Sequence, residues 1–246
     1  TAKEVTDSRL SYKLDIGYNN QFPLSVDIVI YDIAIQGSPI NGYLYLNTRD
    51  KGILGLRNGF GLASINVPSI YEFGGIVNLD NLVPTAGREA VSRESVSLVT
   101  SIVQSVESSW TSVIAKDPIC DNYRNFLQYL YSHFNMAQAS HINIKYANED
   151  KYIRLGNITS LNASEFKYAD GVDSTVLAKF KNSENNVLSI SDSTYRKRIQ
   201  RNYLEKIGVK SIPNNIQVIR EYESKELTID QFFIVNELRS IIEEDY

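Results

Sequence analysis

Val96-Ser97-Leu98-Val99-Thr100-Ser101-Ile102-Val103-Gln104-Ser105-Val106-Glu107-Ser108-Ser109-Trp110-Thr111-Ser112-Val113 is the stretch on which the fold turns. Val96, Val99, Val103, Val106, Trp110 and Val113 recur at three- and four-residue spacing, which is one stripe of a helix. The spacing predicts a long helix from about Glu89 to Ile114. Asp117-Pro118 ends it, because proline disfavours helical geometry at the residue before it.

Upstream the period is different. Leu14, Ile16 and Tyr18 alternate with polar or small residues, and Val26, Ile28 and Ile30 form a second alternating run after Phe22-Pro23. Ile33-Ala34-Ile35 leads to a break at Gly37-Ser38-Pro39, and Ile40 to Leu46 reads as another strand. Strands this closely spaced imply a mixed or antiparallel sheet. The glycine-rich stretch Gly52 to Gly61 lacks the Gly-Lys-Ser/Thr ending of a phosphate loop and does not match G-x-G-x-x-G. It reads instead as a strand with bulges or a close backbone approach.

Downstream, helix and strand signals alternate. Asp121 can cap a second helix whose apolar face is Tyr123, Phe126, Leu127, Leu130 and Phe134. His141 to Tyr146 and Lys151 to Leu155 read as a β-hairpin across Ala147 to Asp150. Asp173 can cap a helix through Val176, Leu177 and Phe180, and Val187 to Ile190 is a short buried-type strand. Tyr195, Ile199, Tyr203 and Ile207 line a helix that Gly208 can close. Ile216 to Ile219 is a further strand, and Thr228-x-x-Gln231 is a capping box before a helix carrying Phe232, Val235, Leu238 and Ile242. This order predicts a small three-layer α/β/α unit distinct from the first sheet. The predicted class is α/β: residues 1–118 as a sheet with its covering helix, 119–163 as a helical connection and hairpin, 164–246 as the small unit.

Of the 246 residues, 43% are hydrophobic and 22% charged, as in ordinary globular chains. No run approaches the roughly 18 apolar residues of a membrane span. The first residue is Thr1 and no leader pattern follows, so the sequence reads as a piece of a longer cytoplasmic protein. The net charge of −4 argues against a nucleic-acid partner held through phosphates. The single cysteine, Cys120, rules out an internal disulfide and fits a reducing compartment. Only His133 and His141 could join it in catalysis, zinc spacing is absent, and Cys120 reads as structural. The cluster Arg196, Lys197, Arg198 and Arg201 could meet an anionic partner, but the solvated face of a helix is the preferred reading.

Gly75-Ile76-Val77-Asn78-Leu79-Asp80-Asn81-Leu82-Val83-Pro84-Thr85-Ala86-Gly87-Arg88-Glu89 carries a resemblance. It is similar, without gaps, to the middle-domain loop of the Hsp90 chaperone family of the GHKL ATPase superfamily, G-V-V-D-S-x-D-L-P-L-N-x-S-R-E. The order of elements resembles that family over nearly the whole chain. Thr85 stands where the family has asparagine, Gly87 where it has serine, and Ser92 where it has glutamine.

The resemblance implies a ribosomal-S5-domain-2-like sheet with a long covering helix, then a small three-layer subdomain. It implies that Arg88 is the catalytic residue, reaching the γ-phosphate of ATP on a separate N-terminal domain, with Thr85, Gly87, Glu89 and Ser92 supporting it. The superfamily's E-x-x-x-N and D-x-G-x-G nucleotide motifs do not occur here. No cofactor is therefore expected in this chain alone, and ATP and magnesium are expected in the parent. The implied partners are the N-terminal domain, client proteins and, through a further C-terminal region, a second copy of the parent. The alternative is a non-enzymatic interaction module that keeps the fold without catalytic coupling.

Overall fold

The computed structural model describes residues 3–6, 9–18, 25–87, 90–147, 149–171, 186–212 and 234. Alternating apolar residues build a mixed eight-stranded sheet: β1 (Lys3–Thr6), β2 (Leu10–Tyr18), β3 (Val26–Ile35), β4 (Ser38–Ile40), β5 (Gly42–Asn47), β6 (Ile53–Arg57), β7 (Phe60–Ile65) and β8 (Gly74–Leu79). Their order is β1-β2-β3-β5-β8-β6-β7, with β4 on β3. Only β6 and β8 run parallel; the other pairs are antiparallel.

The expected single strand from Ile40 to Leu46 is two. Gln36 and Gly37 have φ of 50° and 80°, a tight turn that returns Ser38–Ile40 onto Ile33–Ile35. Asp32, with φ 51°, lies within β3 where its partner changes from β5 to β4, and Asn41 separates β4 from β5 opposite it. The glycine-rich stretch is a hairpin, β6 to β7, turned at Asn58-Gly59 (φ 50° and 81°), with the expected bulge between Gly55 and Leu56.

The covering helix α1 runs over Arg93–Ile114 and starts later than the periodicity predicts, because Ser92 caps it. Ser92 is extended (φ −60°, ψ 156°), and its hydroxyl accepts from the Ser95 amide at 3.2 Å. Val99, Ile102, Val103, Val106 and Trp110 are buried against the sheet residues Leu14, Ile28, Ile30, Leu44, Leu46 and Val77. Each such side chain contributes roughly 1.5–3 kcal/mol before entropy is counted. The other face is partly open: Val29, Tyr43 and Leu54 are 37–44% exposed.

After a 3₁₀ turn at Cys120–Asn122 come α2 (Arg124–Ser132), α3 (Met136–Ala139), β9 (Asn143–Tyr146), β10 (Tyr152–Arg154), α4 (Leu155–Leu161), β11 (Phe166–Ala169), β12 (Asn186–Ser189), α5 (Thr194–Lys206) and β13 (Lys210–Ser211). The strands form a second mixed sheet, β10-β9-β12-β11-β13, parallel at β11/β12 and β11/β13. The hairpin expected within the helical connection is therefore an edge of this sheet, since β9 pairs with β12. Gly208 (φ 82°) closes α5 as expected: its amide reaches the Glu205 carbonyl, and the Val209 amide reaches Leu204. Buried side chains of both sheets belong to one apolar cluster, from Tyr12 through Trp110 and Phe126 to Leu204. The elements expected around Asp173 to Phe180, Ile216 to Ile219 and Thr228 to Ile242 lie outside the described residues. No described helix is long and apolar enough to cross a membrane.

Candidate functional site

The loop that resembles the ATPase motif leaves β8 and enters α1. Its first glycine has a backbone reason. Gly75 has φ 132°, and a Cβ there would lie 2.1 Å from the Tyr45 carbonyl oxygen. Beyond Leu79, the Asp80 amide donates to the Asn41 carbonyl at 3.1 Å, and Leu82 is fully buried as an anchor.

From there the loop is zipped rung by rung. Val83 donates to Ser95 Oγ at 3.0 Å, and the Ser92 amide donates to the Val83 carbonyl at 2.7 Å. Pro84 bridges Val91, and the Thr85 amide and hydroxyl both donate to the Ala90 carbonyl, at 2.8 and 3.2 Å. Thr85, Ala86 and Gly87 are exposed. Thr85 and Ser92 thus serve the stem and the helix cap. Arg88 and Glu89 lie outside the described residues. The exposed Glu94 carboxyl, in the first turn of α1, is held below the usual range by its own backbone amide and the Ser92 hydroxyl.

A buried carboxylate organises the other end of α1. Glu107 is 3% exposed, and its Oε1 accepts from Ser69 Oγ and the Ile70 amide, both at 2.7 Å, and from the Tyr71 amide at 3.2 Å. The Tyr71 hydroxyl meets Thr111 Oγ1 at 2.7 Å, and burial pushes its ionisation up. The fixed turn forms one wall of a cleft of about 540 Å³ between α1 and α2. A second cleft of about 640 Å³ adjoins it at Thr48 and Glu72. Glu107 sits four residues after Val103 and three before Trp110. That acid inside an apolar stripe is its signal in the sequence.

The remaining candidates resolve individually. Cys120 is buried, its thiol points to the His141 carbonyl at 4.0 Å, and burial pushes it up to about 11. That contact is with backbone rather than an imidazole, so no nucleophilic pair forms there. His133 stacks on Tyr129, with centroids 4.8 Å apart.

Asp121 does not cap α2, whose N-cap is Tyr123. Its carboxylate instead accepts from the Asn143 amide at 3.3 Å and side chain at 3.1 Å. The basic cluster is not simply solvated. Arg196 donates to the Asp121 carbonyl at 2.5 Å, Lys197 and Arg201 both pair with Asp170, and Arg198 lies over the Tyr131 ring at 4.5 Å. These cations fasten α5 to its surroundings. Among the described residues no group of three or more His, Cys, Asp or Glu could hold a metal ion.

No protein-family model matches this chain, and no curated protein matches it significantly.

Proposed function

We propose that this chain is the middle segment of an Hsp90-like, ATP-dependent chaperone. In this reading Arg88 contacts the γ-phosphate of magnesium-ATP held by a separate N-terminal domain, and other surfaces hold client protein. The observation that carries the reading is the stem of the motif loop, pinned at Thr85 and Ala90 with Ala86 and Gly87 exposed beyond it. A pinned stem limits the entropy lost when the tip docks on a neighbour. A guanidinium beside the transferring phosphoryl group stabilises the charge that spreads over its oxygens.

The reading entails the S5-like architecture for the first sheet and the three-layer one for the second. It makes the parent a cytoplasmic ATPase, with a homodimer formed outside this segment. Its test is ATP turnover by the parent carrying Arg88→Ala, with ATP affinity measured alongside.

A second reading, an interaction module without catalytic coupling, has its own observation. Thr85 and Ser92, where the family carries asparagine and glutamine, spend their hydroxyls on Ala90 and Ser95. Neither of those side chains is then left to reach a nucleotide. Unchanged turnover with Arg88→Ala would favour this module.

A further inference from the structure

We propose that Asn58 is a deamidation site at the tip of the β6–β7 hairpin, and that the Asn78 side chain on β8 sets how fast it converts.

The chain has two Asn-Gly pairs, Asn41-Gly42 and Asn58-Gly59. Asparagine is among the chemically labile residues, and a following glycine leaves the attacking amide sterically open. The Gly59 nitrogen, its proton lost to hydroxide, attacks the Asn58 side-chain carbon Cγ. A C–N bond forms, the bond from Cγ to Nδ2 breaks, and Nδ2 leaves as ammonia with a proton from water. Water then opens the five-membered succinimide at either carbonyl, which gives aspartate or isoaspartate.

The surroundings of Asn58 leave this reaction room. Asn58 and Gly59 are exposed, and a Cβ on Gly59 would meet nothing within 4 Å. One contact restrains the nucleophile: the Gly59 amide donates to Asn78 Oδ1 at 3.0 Å. A proton held in that bond is harder to remove, and a pinned nitrogen cannot swing toward Cγ. Asn78 reaches the tip because it lies opposite Leu56 in the parallel β6/β8 pair. The bond is itself exposed to water, so it opens, and the attack is slowed rather than stopped.

The other pair is held differently. Asn41 Nδ2 donates to the Asp80 carboxylate at 3.0 Å, and the Asn41 carbonyl accepts from the Asp80 amide at 3.1 Å. There the side chain under attack is tied, together with its own backbone. Asn58 is therefore the faster of the two. Its conversion reaches the fold, because isoaspartate adds a backbone carbon to a two-residue turn set by φ of 50° and 81°.

The experiment incubates the chain at mildly alkaline pH and follows the amide-to-acid mass change at each asparagine. We expect Asn58 to convert before Asn41. Asn78→Ala should speed Asn58 by at least about fivefold, the rate equivalent of one hydrogen bond, and leave Asn41 unchanged. Asn78→Asp keeps an acceptor oxygen and should hold Asn58 near the rate of the unaltered chain. Asp80→Ala should speed Asn41 and leave Asn58 alone. Asn58 unaffected by Asn78→Ala, or equally accelerated by Asn78→Asp and Asp80→Ala, overturns the inference. So does Asn41 converting first.

Discussion

Thr85 donates twice to Ala90, through its amide at 2.8 Å and its hydroxyl at 3.2 Å, and so clasps the loop that joins β8 to α1. Thr85→Pro removes both donors. One such bond is worth about 1 kcal/mol, so the melting temperature should move by only a few degrees. The local effect should be larger: exchange of the Ser92 amide, which donates to Val83 lower on the same stem, should speed up by about tenfold. Unchanged Ser92 protection would mean that the clasp does not hold the stem.

Glu107 should be the polar residue on α1 least tolerant of truncation. Glu107→Ala leaves Ser69 Oγ and the Ile70 and Tyr71 amides without their shared acceptor inside the protein. The expected loss is about 3 kcal/mol or more in urea denaturation. Glu107→Gln keeps an acceptor oxygen and should cost about 1 kcal/mol. Equal losses for the two would show that side-chain volume, rather than the three donors, sets the cost.

Gln200 ties the second sheet to α5. It is 2% exposed, its Nε2 donates to the Asn143 carbonyl at 2.7 Å, and its Oε1 accepts from the Ser191 amide at 2.9 Å. Gln200→Leu fills the space but strands both backbone groups, with an expected cost of about 2–4 kcal/mol. A loss under about 0.5 kcal/mol would contradict this role.

Cys120 should be chemically silent in the folded chain. Burial raises its thiol from an ordinary 9.0 to about 11, and the thiolate is the reactive form. Labelling at pH 8 should therefore wait on unfolding. The unfolded chain releases this proton first, so the stability is intact below about 9 and is lost as pH rises toward about 11. Cys120→Ala should flatten that part of the pH–stability curve. Rapid labelling without denaturant would show an exposed, reactive thiol.

Much of this fold is legible in the sequence wherever a period persists. The stripe from Val96 to Val113 is α1, and Gly208 ends α5 through its positive φ. Turn chemistry is legible too: Asn58-Gly59 is a strong hairpin signal, and it joins β6 to β7. The pairing of β9 with β12 was not legible, because it joins residues about 40 positions apart, and neither strand's pattern names its neighbour. Asp121 failed as a cap for a similar reason, since its carboxylate found Asn143 instead of the local backbone. At the candidate site, the motif marked the loop. That Thr85 and Ser92 are used for stem and cap depends on Ala90, Val83 and Ser95 converging there in three dimensions.

The proposed chemistry rests on Arg88, and one measurement bears on it most directly: ATP turnover and ATP affinity of the full-length parent, with and without Arg88→Ala. An arginine of this kind acts on the transition state, where its removal costs up to about 10³ in rate. A slow ATPase should lose at least about tenfold in turnover while its ATP dissociation constant stays within about twofold. Exposed Ala86 and Gly87 beside it lead us to expect that the same change leaves the melting temperature of this chain alone within about 2 °C. Turnover unchanged by Arg88→Ala, or a chain that the substitution unfolds, would contradict the account and leave the arginine a structural residue.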